Sequence, residues 1–166
     1  INVGLKQFDA GIGSFKHALK IKPDYAEAYY NMGIALKEQG KVEEAIDAYK
    51  KAISIKPDYA EAYNNMGNVL QSKNDLEGAI KSYKQAVQIK PDFAEAFYNT
   101  GNALQDKGEL KKAIESYKQA VQIKPDFAEV YNNMGMALKD KGHQEEAIKN
   151  YKQAIIIKPD YAEAYN

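Results

Sequence analysis

Apolar residues between positions 60 and 93 recur at spacings of three and four. Tyr63, Met66, Gly67 and Leu70 make one such stripe, the signature of a helix with one face turned to a core. After a short polar break at Ser72 to Asn74, Leu76, Ala79, Ile80, Tyr83, Ala86, Val87 and Ile89 continue at the same spacing, which predicts a second helix. These are helix A and helix B of one hairpin. The pattern repeats every 34 residues. Pro23, Pro57, Pro91, Pro125 and Pro159 are the only prolines, each within Lys-Pro-Asp-aromatic-Ala-Glu, and Gly33, Gly67, Gly101 and Gly135 keep the same interval, as do Ala45, Ala79, Ala113 and Ala147. The stretch SYKQAVQIKPDFAE occurs twice, from Ser82 and from Ser116. A fixed period of this length marks a stack of supersecondary units. Full units span 26–59, 60–93, 94–127 and 128–161; residues 1–25 match the later part of a unit, and residues 162–166 open another.

Local chemistry predicts where the helices stop and start. Gly40, Gly108, Gly142 and, in the second unit, Asn74 occupy the A-to-B break, residue types that accept the left-handed backbone ending a helix. Pro57 removes an amide donor and restricts Lys56, so helix B ends there, with the lysine charge at the negative helix end; Lys22, Lys90, Lys124 and Lys158 repeat it. Asp58 three residues before Glu61 has capping-box spacing for helix A. The pair returns as Asp24 with Glu27, Asp92 with Glu95, Asp126 with Glu129 and Asp160 with Glu163. Gly33, Ala45 and Ala52 let two backbones approach while Tyr29, Leu36 and Tyr49 fill the space between.

An aromatic residue, a Leu-Gly-like pair, then Ala, an aromatic residue and Pro within 34 residues resembles the tetratricopeptide repeat, and the resemblance covers the whole chain. Tyrosine or Phe97 stands for the usual tryptophan, Met32, Met66 and Met134 for leucine, and Thr100 brings a hydroxyl into that column. Thr100 and Gly78 are expected to weaken their units locally. The fold class implied is all-α, a right-handed superhelical solenoid of antiparallel helix-turn-helix hairpins forming one array over 1–166. In arrays of this family the polar stripe of helix A lines a concave groove.

Here that stripe is amide-rich. At roughly 100° per residue, Glu61, Asn65, Asn68 and Ser72 lie opposite the apolar stripe. Asn31, Asn65, Asn99 and Asn133 form a column, joined by Asn68 and Asn102. An amide offers donors and an acceptor, which suits the repeating main chain of an extended peptide; the competing reading is that these amides only orient the stack. The ladder is similar to that of the superhelical arm of O-linked N-acetylglucosamine transferase. Tyr30 and Tyr98 border the expected groove in alternate units, with Asn64 and Asn132 in the others, either as ligand anchors or as wedges between hairpins. Chaperone-type members grip a terminal carboxylate with cations, but Glu27, Glu61, Glu95 and Glu129 stand where those cations are expected, with Glu38, Asp106 and Asp140 beside them and mainly Lys37 and Lys139 opposed. Neutral or basic extended segments are therefore the expected ligands, and the site residues are Asn31, Asn65, Asn68, Asn99, Asn102, Asn133, Tyr30, Tyr98, Glu61 and Glu95. Alternatives are a substrate-positioning arm of a larger enzyme such as a glycosyltransferase, and head-to-tail self-association through residues 162–166 and 1–25, which can extend into a filament.

Composition removes other classes. The chain has 166 residues, 23 basic and 23 acidic side chains and no cysteine, so no global field calls for nucleic acid or an anionic membrane, and no disulfide or thiolate chemistry is available. The basic column Lys50, Lys84, Lys118 and Lys152 on helix B reads as a solvated face without stacked aromatics beside it. No apolar run approaches the roughly 20 residues that span a bilayer. His17 and His143 lack metal-ligand partners at usable spacing. Gly11-Ile12-Gly13 lacks the third glycine of a dinucleotide fingerprint. No cofactor or catalytic constellation is expected, because each carboxylate recurs on an open helix, while acid–base catalysis needs unlike environments. The chain starts at Ile1 and reads as a piece of a longer protein whose compartment the sequence leaves open.

Overall fold

The computed structural model describes residues 2–159, with side chains from residue 8 onward. Among these residues the regular elements are helices: α1 (Asn2–Ile21), α2 (Ala26–Glu38), α3 (Val42–Ile55), α4 (Ala60–Ser72), α5 (Leu76–Ile89), α6 (Ala94–Asp106), α7 (Leu110–Ile123), α8 (Ala128–Asp140) and α9 (Gln144–Ile157). Helices α2, α4, α6 and α8 are the expected A helices, and α3, α5, α7 and α9 the B helices. They fall into two compact units, Ile1–Ile89 and Lys90–Asn166. Within the first, each helix from α1 to α5 packs on the next, and α2 touches α4; within the second, each from α6 to α9 packs on the next, and α6 touches α8. Residues 2–21 form one helix, α1, as expected for the later part of a unit. The predicted opening of a further unit at 162–166, and the Asp160 with Glu163 pair, lie outside the described residues.

Each hairpin is locked by a ring over a missing side chain. Tyr49, Tyr83 and Tyr117 on the B helices are fully buried, and each lies against the glycine of the preceding A helix. A Cβ on Gly33 would sit 2.7 Å from Tyr49 Cε1, one on Gly67 would sit 2.5 Å from Tyr83 Cε1, and Gly101 and Gly135 meet Tyr117 and Tyr151 in the same way. Burying one such side chain contributes about 1.5–3 kcal/mol. Stacking of the next A helix completes the burial: Ile46 and Ile114 are 5% and 6% exposed, whereas Ile148 on α9, with no further A helix among the described residues, is 50% exposed.

The A-to-B turns follow the expected backbone chemistry. Gly40, Asn74, Gly108 and Gly142 have φ of +74°, +63°, +79° and +82°. In each turn two amides close on the helix end, as Gly40 N–H donates to Lys37 O and Lys41 N–H to Leu36 O, both at 2.9 Å. This is a Schellman arrangement, and it recurs at Asn74 and Asp75, Gly108 and Glu109, and Gly142 and His143.

The helix starts differ from expectation. The A helices have Tyr25, Tyr59, Phe93 and Phe127 at the N-cap with no side-chain cap bond, so the four aspartate–glutamate pairs are not capping boxes. The Lys-Pro-Asp-aromatic stretch closes as a backbone turn, with Tyr59 N–H donating to Lys56 O at 3.2 Å and Phe93 N–H to Lys90 O at 3.1 Å. That turn pushes the aspartate one residue ahead of the cap. It also folds each lysine over its aromatic partner: Lys22, Lys56, Lys90 and Lys124 Nζ lie 5.2, 4.6, 4.9 and 4.7 Å from the ring centroids of Tyr25, Tyr59, Phe93 and Phe127. Such cation–π contacts are worth about 0.5–1 kcal/mol at exposed sites. A true aspartate cap occurs instead on α5, where Asp75 Oδ1 accepts from Gly78 N–H at 3.0 Å. Thr100 is accommodated, since its hydroxyl donates to Ala96 O at 2.7 Å.

Candidate functional site

The expected site residues lie on the A helices and differ in exposure. Asn31 and Glu95 are exposed; Tyr30, Glu61, Asn65, Asn68, Tyr98, Asn99, Asn102 and Asn133 are half-buried. Asn64 and Asn132 do not border an open surface, being 2% and 3% exposed. The aspect that periodicity leaves undetermined is how far each amide is already engaged. Asn65 Nδ2 donates to Tyr30 Oη at 3.0 Å across α4 and α2. Asn133 Nδ2 donates to Tyr98 Oη at 3.2 Å and to Asn102 Oδ1 at 2.9 Å across α8 and α6, and its oxygen accepts from Asn132 Nδ2 at 3.3 Å.

The tyrosines of the B helices reach through the hairpin to the same amides. Tyr83 Oη lies 2.7 Å from Asn68 Oδ1 and 3.0 Å from Gln71 Oε1, and Tyr117 Oη lies 2.8 Å from Asn102 Oδ1 and 2.9 Å from Gln105 Oε1. A primary amide has two N–H donors and an oxygen with two acceptor sites. Asn133 therefore spends both donors inside the stack, while Asn68 and Asn102 are held by their oxygens with the N–H groups left over, and Asn65 keeps one N–H and its oxygen. The amide column both orients neighbouring A helices and retains polar atoms.

Aromatic rings frame this face in both units. Tyr30 stands 4.8 Å from Tyr59 and 6.1 Å from Tyr49, and Tyr98 stands 5.1 Å from Phe127 and 6.2 Å from Tyr117, centroid to centroid. In the second unit Phe93, Tyr98 and Phe127 wall a pocket of about 400 Å³ that Glu95, Asn99 and Lys124 complete. In the first unit the Tyr59 phenol is pushed up to about 12, by burial first and then by Tyr30, Glu27 and Glu61 nearby. Burial, followed by Tyr98 and Asp106, likewise raises Tyr117. Those carboxylates make the surroundings unfavourable for a further negative charge. Sequence reasoning misses Gln71 and Gln105 as tyrosine partners, and Phe93, Phe127 and Lys124 as pocket residues; the recurring Lys-Pro-Asp-aromatic motif carries the signal for the last three, because its lysine and its aromatic ring meet.

The model of the TPR repeat family matches residues 5–40, 35–73, 67–108, 101–142 and 135–166. The chain belongs to the tetratricopeptide repeat family. Among solved structures, the crystal structure of MamA is similar over 98% of this chain and 98% of its own, with 30% identity and a TM-score of 0.87. MamA 41-end from Desulfovibrio magneticus RS-1 covers 98% of this chain and 99% of its own at 20% identity and a TM-score of 0.83. YrrB, described as a TPR protein with an unusual peptide-binding site, covers 96% of this chain and 82% of its own at 24% identity and a TM-score of 0.82. The last two likenesses speak to the fold alone. No curated protein matches the chain in sequence.

As a tetratricopeptide repeat array the chain is a protein–protein interaction scaffold. Among the described residues no group of His, Asp or Glu side chains could hold a metal ion, and no helix is long and apolar enough to cross a membrane. The similarity to the O-linked N-acetylglucosamine transferase arm rests on the asparagine column only.

Proposed function

We propose that the A-helix face of this tetratricopeptide repeat array binds an extended, neutral or basic peptide, gripping its main chain with asparagine amides and seating a side chain among aromatic rings. The observation that carries this reading is the pocket of about 400 Å³ walled by Phe93, Tyr98 and Phe127, with Glu95 and Asn99 at its rim. Three of the residues expected from sequence meet there, Glu95, Tyr98 and Asn99. Concave sites with apolar walls and a few polar groups are where ligands settle. In the second unit, which holds the pocket, the N–H groups that Asn102 retains after its oxygen accepts from Tyr117 suit peptide carbonyls, and Asn68 offers the same groups within the first unit. Glu95 is exposed and shares the pocket with Lys124, whose ammonium lies over the Phe127 ring; the pocket is charge-balanced, which suits a neutral side chain and leaves Glu95 to meet a basic one.

The test is a display selection of random peptides, followed by anisotropy titration of the selected sequences against Asn68→Ala, Asn102→Ala and Tyr98→Ala variants. Main-chain recognition predicts that N-methylation of the peptide backbone abolishes binding, while most side-chain changes in the peptide are tolerated. Each asparagine variant is expected to weaken binding by about tenfold, the worth of one desolvated hydrogen bond. Unchanged affinity in both asparagine variants, together with tolerance of N-methylation, would refute the amide mechanism.

A further inference from the structure

On the side of the first unit away from the amide column, a groove of about 400 Å³ runs between α3 and α5 with α4 as its floor. Its bottom is apolar: Ile46 from α3, and Tyr63, Met66 and Leu70 from α4. The groove one repeat earlier, between α1 and α3, is built on the equivalent Tyr29, Met32 and Leu36 but holds only about 210 Å³. Four lining positions separate them: Glu44, Asp47, Ala48 and Lys51 of the earlier groove are Gly78, Lys81, Ser82 and Gln85 here, and the first two matter most for room and charge. Where the earlier groove has Glu44 and Asp47 on its α3 wall, this one has Gly78 and Lys81 on α5; the position of Gly78 is occupied by Glu146 in the last repeat.

The loss of two carboxylates changes both room and charge. Gly78 removes a side chain from the wall. Asp75, at the groove edge, is committed to the helix start through its bond to Gly78 N–H, and Glu43 is paired with Lys73. Lys50 and Lys81 are exposed and make no ion pair among the described residues. An apolar trough flanked by two uncompensated cations complements a guest with large apolar side chains bordered by carboxylates.

The geometry points to this groove as a second docking site, separate from the A-helix face, for an acidic amphipathic segment of a partner protein. Leucine or phenylalanine side chains of that segment fill the trough over Met66 and Leu70, and its carboxylates meet Lys50 and Lys81. Placed against the peptide-gripping face, the site gives one array two surfaces with opposite charge preference.

Anisotropy of a fluorescein-labelled synthetic helix with Leu and Phe on one face and Glu on the other tests this. Saturable binding to the wild-type chain is expected, weakened about tenfold by Gly78→Glu and by Lys81→Asp. Each of these substitutions installs a residue that another repeat carries at the same position; a Cβ at Gly78 would meet the Asp75 carboxylate, so in Gly78→Glu that side chain turns aside, and circular dichroism checks that the hairpin is retained. Asn102→Ala, on the A-helix face, leaves this binding unchanged. The proposal is overturned if the probe does not saturate, if its Lys-for-Glu or Ser-for-Leu counterpart binds as well, or if neither groove substitution weakens it.

Discussion

Removing one oxygen atom from three equivalent tyrosines separates hydrogen bonding from packing in this array. Tyr49, Tyr83 and Tyr117 place the same ring on the same glycine position. Their hydroxyls differ: those of Tyr83 and Tyr117 meet an asparagine and a glutamine oxygen at 2.7–3.0 Å, whereas the Tyr49 hydroxyl is buried without a partner. The cause is in the sequence, because Ile34 and Lys37 stand where the next repeats have Asn68 and Gln71, then Asn102 and Gln105. Tyr83→Phe and Tyr117→Phe lose a net hydrogen bond and leave half-buried amide oxygens less well satisfied, a cost of about 1–2 kcal/mol each. Tyr49→Phe removes an unpaired buried polar group, so it is expected to be neutral or to stabilise by up to about 1 kcal/mol. The ring stays in all three, so the contact with glycine is unchanged. Urea denaturation followed by circular dichroism gives the free energies, and native-state hydrogen exchange of B-helix amides assigns them to the mutated repeat. Destabilisation by Tyr49→Phe equal to that of Tyr83→Phe would refute the reasoning, since packing alone would then account for all three.

Gly67→Ala drives a methyl group into the Tyr83 ring and is expected to cost about 1–3 kcal/mol by overpacking, despite the better helix propensity of alanine; a higher denaturation midpoint would contradict the packing described. Asn74, held at φ +63°, is expected to yield up to about 1 kcal/mol on replacement by glycine, read as a raised melting temperature. Glu109, hydrogen-bonded to Lys107 at 2.6 Å and Lys112 at 2.5 Å, has its carboxyl lowered from 4.5 to about 2, by Lys107 first and then Lys112. A depressed folded-state value contributes stability above the unfolded value, and this is lost as pH falls from about 4.5 to about 2; carbon-detected NMR titration with a Glu109 midpoint near 4.5 would show that neither lysine holds it.

What the sequence determined by itself is what repeats. A 34-residue period in Pro, Gly and Ala, and apolar spacing of three and four, state the hairpins, the left-handed turns at Gly40, Asn74, Gly108 and Gly142, and the all-α class. These follow from local backbone chemistry and from a stripe that a lone hairpin cannot bury. Tertiary structure decided where the same residue type meets different neighbours. The A-helix aspartates look like caps in sequence, yet the turn closed by Tyr59 and its equivalents moves them one position out. Asn64 and Asn65 are neighbours in the chain, but one is buried and the other half-buried, because successive helical positions differ by about 100°. Asn133 spends its donors on Tyr98 and Asn102 while Asn68 keeps its own, a difference set by partners 31 to 35 residues away and by the atoms that close approach of neighbouring helices leaves over. Periodicity thus specifies the scaffold, and the contacts between repeats specify which polar atoms are left to meet another molecule.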